Sequence, residues 1–315
     1  MDILFHIGAA KTASTSIQYF LHQHRHHLCE SGYFYPFNSK FKHSEFALAA
    51  SFDVSNSADL YRRYTPDLSN KEFDFLSHFK HLIASYLSGF KNSGCHTLLL
   101  SDEILPYRCN TLESLIMLKS FFPSSYRFKF VYYKRSPADM YISLYSTLIK
   151  VGQTNISPFA LRLPDPTSSD SEWIASPEMF DHNNIINNIS TVFGSASINV
   201  YDFDQINKNP HGMSIVDHFL GVCYISIPHK PSQSLNPRLD YISLYILYQY
   251  NILIGFISPL KPLSFVLRSF RERFLIPFVE LVSLYSPFKF PGKNVLLHQH
   301  HFNSFFSNES TLPKI

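Results

Sequence analysis

The chain has 315 residues, enough for one large α/β domain or for a domain with a helical extension, and 45% of them are hydrophobic, which supports a substantial core. Charged residues make up 16% and no long polar tract is present, which argues against a disordered chain. A net charge of +3 argues against a surface built to coat nucleic acid, while leaving room for a local anion site.

In chain order, residues 2–7 read as a buried strand and Thr15 to His27 as a helix. Phe73 to Phe90 repeats apolar residues at helical spacing (Phe75, Leu76, Phe79, Leu82, Ile83, Tyr86, Leu87). "HTLLLS", 96–101, is a second buried strand, Leu112 to Phe122 a helix, and "FKFVYY", 128–133, a third strand. A helix follows Pro137, "SINVYDF" (197–203) is a fourth strand, and Met213 to Leu220 is a short helix. Strands alternating with helices imply a parallel sheet covered on both faces, with ligands bound at the carboxyl ends of the strands. Residues 154–178, with four prolines and a Ser/Asp cluster, read as a long surface loop. From about residue 205 the pattern is mostly helical. The expected division is therefore an α/β core over 1–230 and a helical extension over 231–315, packed on the same domain.

Cys29, Cys95, Cys109 and Cys223 are scattered and form no CxxC pair, which argues against structural zinc and a disulfide framework and suits a cytoplasmic protein. No signal peptide is visible. "YISLYILYQYNILIGFISPL", 241–260, is uncharged and long enough for a membrane span, but Tyr, Ser, Gln and Asn interrupt it and Pro259 closes it. A buried or interfacial helix is the better reading. "HQHRHH" (22–27) and "HQHH" (298–301) lack a carboxylate or cysteine partner and read as solvated ends rather than metal sites.

Between the first strand and the first helix lies GAAKTASTS, Gly8 to Ser16. A helix N-terminus presents unpaired amides and a partial positive charge. Small residues let the backbone close around an anion, Lys11 adds a full charge, and Thr12, Ser14, Thr15 and Ser16 add hydroxyls. The combination is a phosphate or sulfate cradle. It is not a Walker A loop, because no second glycine precedes the lysine. A second element lies in "VYYKRSPADMYISLYSTLIK" (131–150), where Arg135, Pro137, Ser143 and Tyr145 form R-x-P-x5-S-x-Y. Arg135 sits at a strand's carboxyl end, and Ser143 lies about two turns into the next helix.

The core AKTAST resembles the 5′-phosphosulfate loop of PAPS-dependent sulfotransferases, usually close to PKTGTT, with Ala10 for the proline and Ala13 for the glycine. The Arg135/Ser143 element resembles the same family's 3′-phosphate-binding element. "GYFYPFNSKFKHSEFALAAS" (32–51), "LLLSDEIL" and "NPRLDYISLYILYQYN" are similar to segments of its bacterial carbohydrate-type members. The resemblance implies a P-loop-like three-layer fold with a central parallel sheet. It also implies transfer of a sulfuryl group from PAPS to a hydroxyl, less often an amine, of a carbohydrate or similar acceptor, without a metal, in a bacterial-type cytoplasmic enzyme. Lys11 would stabilise the leaving group, Ala10 to Ser16 would hold the 5′-phosphate, and Arg135 with Ser143 the 3′-phosphate. For the general base, His43 in "KHSEF" lies where the family places a His or Glu, and Glu103 and Glu45 stand beside it as alternatives. "FKFPGKN" (288–294) offers Lys289 and Lys293 as a late basic segment that could close over a nucleotide. Two other classes remain open: a kinase or NTPase, for which "TLLLSDE" imitates a Walker B strand, and a non-catalytic nucleotide-binding scaffold with a degenerate site.

Overall fold

The computed structural model describes residues 1–36, 75–109, 111–150, 152, 181–207, 214–227, 241–257, 259 and 261–285. They form two compact units, one of residues 1–135 and 177–235, the other of residues 136–176 and 236–315.

The first unit is built on five parallel strands in the order β2-β3-β1-β4-β5. They are β1 (Asp2–His6), β2 (Tyr33–Phe34), β3 (Thr97–Ser101), β4 (Arg127–Lys134) and β5 (Ile198–Asp202). The central strands are continuous apolar runs because helices cover both faces of a parallel sheet. β3 is buried at every position, and β1 at all but Asp2. β1 pairs with β3 from Asp2↔Thr97 to His6↔Ser101, and with β4 from Asp2↔Arg127 to His6↔Val131.

Alternation along the strands sorts their side chains onto two faces. Leu4, Leu99, Val131 and Tyr133 pack with Ile17, Phe20 and Leu21 of α1 (Ser14–Gln23) and Val216, Phe219 and Leu220 of a helix over Ile215–Val222. On the opposite face Phe5 and Phe130 stack at 5.9 Å, and Phe130 meets Phe193 at 4.8 Å. In chain order the remaining helices of this unit are α2 (Arg25–Glu30), α3 (Phe75–Asn92), α4 (Leu105–Arg108) and α5 (Leu112–Ser120). After α6 (Pro137–Lys150) of the second unit come α7 (His182–Phe193), α8 (Phe203–Asn207) and α9, the helix over Ile215–Val222.

The α/β class and parallel sheet expected from the pattern are present. The helix expected over 15–27 is two helices that break at His24, whose amide closes α1 by bonding Phe20 O. The edge strand β2 and helix α7 are additions. β2 is only two residues long. α7 follows the Pro- and Ser-rich stretch and starts at Asp181, whose side chain accepts from the Asn184 amide. The proline-rich loop (154–178), the connector 228–238, the segments 288–294 and 298–301, and His43 and Glu45 lie outside the described residues.

The second unit contains α6, α10 (Tyr241–Ile257), α11 (Lys261–Phe270), a π-helical turn over Arg271–Leu275 and α12 (Ile276–Tyr285). No helix among the described residues is long and apolar enough to cross a membrane. Ile149, Leu244, Leu247 and Val279 form its core. Within it lies a buried polar chain. Asn251 Nδ2 donates to the Ile149 carbonyl at 2.8 Å, near the end of α6 where helix carbonyls lack intrahelical donors, and Asn251 Oδ1 accepts from Arg271 at 2.8 Å.

Replacing Asn251 by Ala removes the side chain that joins these two groups, leaving the Ile149 carbonyl with the Gly152 amide at 3.0 Å and the guanidinium with Glu272 at 3.6 Å, and thermal or urea denaturation should show a loss of about 1–2 kcal/mol. The double variant Asn251→Leu/Arg271→Met, which removes the guanidinium as well, should recover part of that loss.

Candidate functional site

The strand order places β1 beside β4, so the segments leaving their carboxyl ends run side by side. The pairing continues past the strand, with Ile7 N donating to Val131 O and Ala9 N to Tyr133 O, both at 3.0 Å. This fixes the start of the Gly8–Ala13 loop against the end of β4. Within the loop Gly8, Lys11 and Ala13 all have positive φ (21°, 65° and 60°). Such alternation turns successive amides toward one side and builds an anion-binding concavity.

Ala13 is the N-cap of α1 and offers no side-chain cap, whereas α5, α7 and α9 are capped by Thr111, Asp181 and Ser214. The first turn of α1 thus begins without a side-chain acceptor, although its Ser16 amide bonds the Ala13 carbonyl at 2.9 Å. At Gly8 a Cβ would come within 2.7 Å of Ser14 Oγ, 3.1 Å of His6 Nε2 and 3.2 Å of Thr12 Oγ1. Three polar atoms therefore converge on a space that only glycine leaves open. The Ser14 hydroxyl at this space, with the positive charge of Lys11 in the same loop, fits an anionic phosphate or sulfate group.

The hydroxyls of the loop have separate duties. Thr12 is buried and donates to Ala9 O at 2.6 Å, so it holds the loop's shape. Ser14 is buried and faces the Glu103 carboxyl without a well-formed hydrogen bond. Ser16 is buried and Thr15 exposed. The Ala10 amide is taken by the Tyr107 hydroxyl, which accepts from it and keeps its own proton for another acceptor.

Glu103 follows β3. Burial pushes its carboxyl up, against the opposing pull of the Ser14 hydroxyl and the Lys11 ammonium. A carboxyl with a raised pKa beside a lysine and a hydroxyl is suited to proton transfer. Arg135 donates from Nη1 to Lys11 O at 2.6 Å, its Nε lies 3.4 Å from Asp204, and its guanidinium sits 5.0 Å from the Phe203 ring centre. Its first structural duty is to tie the loop to the start of α8.

Lys11, Ser14, Glu103 and Arg135 are therefore brought together around one loop. Ser143 is partly exposed on α6 of the second unit, and its carbonyl accepts from Thr147. Among the described residues no group of three or more His, Cys, Asp or Glu is placed to hold a metal.

Several contributors were not singled out from the sequence. His6 ends β1 fully buried; Ser101 Oγ lies 2.9 Å from its Nδ1 and accepts from Gln18 Nε2 at 3.1 Å. Tyr107 lies one helical turn beyond Glu103, a spacing visible in "SDEILPYR". His182 donates from Nε2 to the Arg135 carbonyl at 2.8 Å, which leaves Nδ1 to accept from the Tyr132 hydroxyl at 2.6 Å. Asp204 carries no signal beyond its place just after a strand.

No family model matches the chain, and no curated protein matches it. A solved structure described as a sulfotransferase from Alicyclobacillus acidocaldarius is similar, at 16% identity and a TM-score of 0.44, over 81% of this chain and 91% of that one.

Ala13 holds a left-handed conformation that costs a non-glycine residue about 1–2 kcal/mol. Ala13→Gly should raise stability by about 0.5–1 kcal/mol after the greater freedom of glycine in the unfolded chain is subtracted, as read by thermal denaturation. A pH effect follows from His182. Burial lowers its pKa below the usual 6.5, with the nearby Lys134 acting in the same sense and the Arg135 carbonyl and Asp181 opposing. The unfolded chain takes up this proton before the folded chain does. The stability contributed is complete above pH 6.5 and is lost as pH falls toward the folded value. His182→Gln should lower the melting temperature less steeply than wild type between about pH 7.5 and about pH 5.5. A residual slope should remain from His218, which burial shifts in the same direction.

Proposed function

We propose that the chain is a sulfotransferase that uses PAPS as donor and a hydroxylated acceptor, a carbohydrate or a similar molecule. The observation that carries this reading is the lysine-bearing loop between β1 and an N-terminus of α1 without a side-chain cap, bonded directly to Arg135 of the neighbouring strand's end. When bound, the donor supplies the sulfuryl group and departs as adenosine 3′,5′-bisphosphate. In this reading the loop amides, Ser14 and Thr15 bind the 5′-phosphate end, and Lys11 neutralises charge that builds there. The family resemblance assigns the 3′-phosphate to Arg135 and Ser143. Arg135 would release or share its contact with Asp204 to bind it. Glu103, whose carboxyl pKa is raised by burial, takes the acceptor's proton when ionised or orients Lys11. His43 and Glu45 stand as alternative bases.

Calorimetric titration with adenosine 3′,5′-bisphosphate, beside ATP with magnesium, tests the cofactor. The bisphosphate should bind the wild type, and Lys11→Ala should weaken it by about 10- to 100-fold, the scale of a charge-assisted contact. Preference for magnesium-ATP would replace this reading with that of a kinase or NTPase. Sulfuryl transfer to a panel of glycans would then separate the bases. Glu103→Gln or His43→Gln, whichever is the base, should lower kcat by about 100-fold or more while the bisphosphate still binds.

A further inference from the structure

Two thiols that are far apart in sequence meet at the amino end of β3, away from the loop. Cys29 Sγ and Cys95 Sγ are 3.2 Å apart, and Cys95 Sγ lies 3.6 Å from the Cys29 carbonyl. Both cysteines are reduced; Cys95 is buried and Cys29 partly exposed. The approach is imposed by the backbone. The Gly32 amide donates to Cys29 O at 2.9 Å, and the Gly32 carbonyl accepts from His96 N at 2.9 Å and Thr97 N at 3.1 Å. Cys95 N is in turn held by Ser93 Oγ at 3.2 Å. Gly32 has a φ of +86°, and a Cβ there would come within 2.4 Å of the His96 ring, so this close passage of two chain segments requires glycine. Each cysteine thus sits within three residues of a shared bonding point, and bringing the sulfurs into covalent contact takes about 1 Å of further approach.

We propose that Cys29 and Cys95 are a thiol–disulfide pair, oxidised to an intrachain disulfide by a small-molecule disulfide such as oxidised glutathione. Cys29, the accessible member, loses its proton and attacks one sulfur of the oxidant. The oxidant's S–S bond breaks, one thiolate leaves, and a mixed disulfide remains on Cys29. Cys95 then gives up its proton and attacks Cys29 Sγ, displacing the second thiol. Two electrons pass from the cysteines to the oxidant, which ends as two thiols carrying the two protons. The hydrogen bond with Cys95, followed by burial, raises the Cys29 pKa, so exchange should quicken as pH rises. Cys109 and Cys223 are buried and do not enter this pair.

The test uses the full chain and does not depend on the nucleotide reading. The protein is incubated with oxidised glutathione, alkylated, and read by intact mass and peptide mapping. The expected product has lost two hydrogen atoms and yields a peptide cross-linked between Cys29 and Cys95. It should melt about 5 °C higher than the reduced protein, a gain reversed by dithiothreitol. Cys95→Ser should stop at the mixed disulfide on Cys29. A wild-type protein that retains glutathione on Cys29 would overturn the proposal. So would alkylation of both thiols under conditions in which the unfolded chain becomes cross-linked. Either result is read on wild type alone, so a variant that fails to fold leaves the test intact.

Discussion

The pairing of β1 with β4 is the constraint from which the site follows. The ladder does not stop at His6 but continues through Ile7 and Ala9, whose amides bond Val131 and Tyr133. A backbone held at two successive alternate positions beyond the strand cannot wander, so Gly8 begins its turn at a defined height above the sheet. From there the left-handed residues, the helix start and the Arg135 contact are all placed relative to one rigid edge. A site anchored on strand ends in this way is held more tightly than one carried by a free loop.

Charge at the site is balanced locally. Arg135 is shared between a loop carbonyl and Asp204, and Lys11 lies in the field of Glu103. Each cation therefore has an acidic companion already in the protein. An incoming anion exchanges one partner for another rather than neutralising a bare charge. Such exchange lets the cations stay ordered without ligand, at some expense in affinity. Behind them, His182 and Tyr132 fix the carbonyl of Arg135, so the strand end is braced from both sides.

The central strands and the loop were legible in the sequence because both are local patterns. Buried parallel strands must be uniformly apolar, and an anion loop needs small residues, hydroxyls and a lysine in sequence. What was not legible depends on meetings between distant segments. Asp204 matters because β5 lies next to β4, and His6 matters because β1 ends where β3 places Ser101 and α1 places Gln18. Neither fact has a periodicity. The duties of the hydroxyls were also hidden. Thr12 and Ser14 look alike in AKTAST, yet one is committed to the loop's own backbone and the other faces Glu103. The thiol pair was obscured for the same reason, since Cys29 and Cys95 show no CxxC spacing and are joined only through Gly32.

The position of β1 has a consequence for how the chain is made. It is the first of the five strands in chain order and the central one of the sheet, yet Asp2 must wait for Thr97 and Arg127 before either ladder can form. At about 5–20 residues per second that wait is on the order of ten seconds. Throughout it Ile3, Leu4 and Phe5, all destined for the interior, have no sheet to join. The nascent chain is thus committed to a period of exposed apolar strand that a chaperone at the exit tunnel is suited to cover.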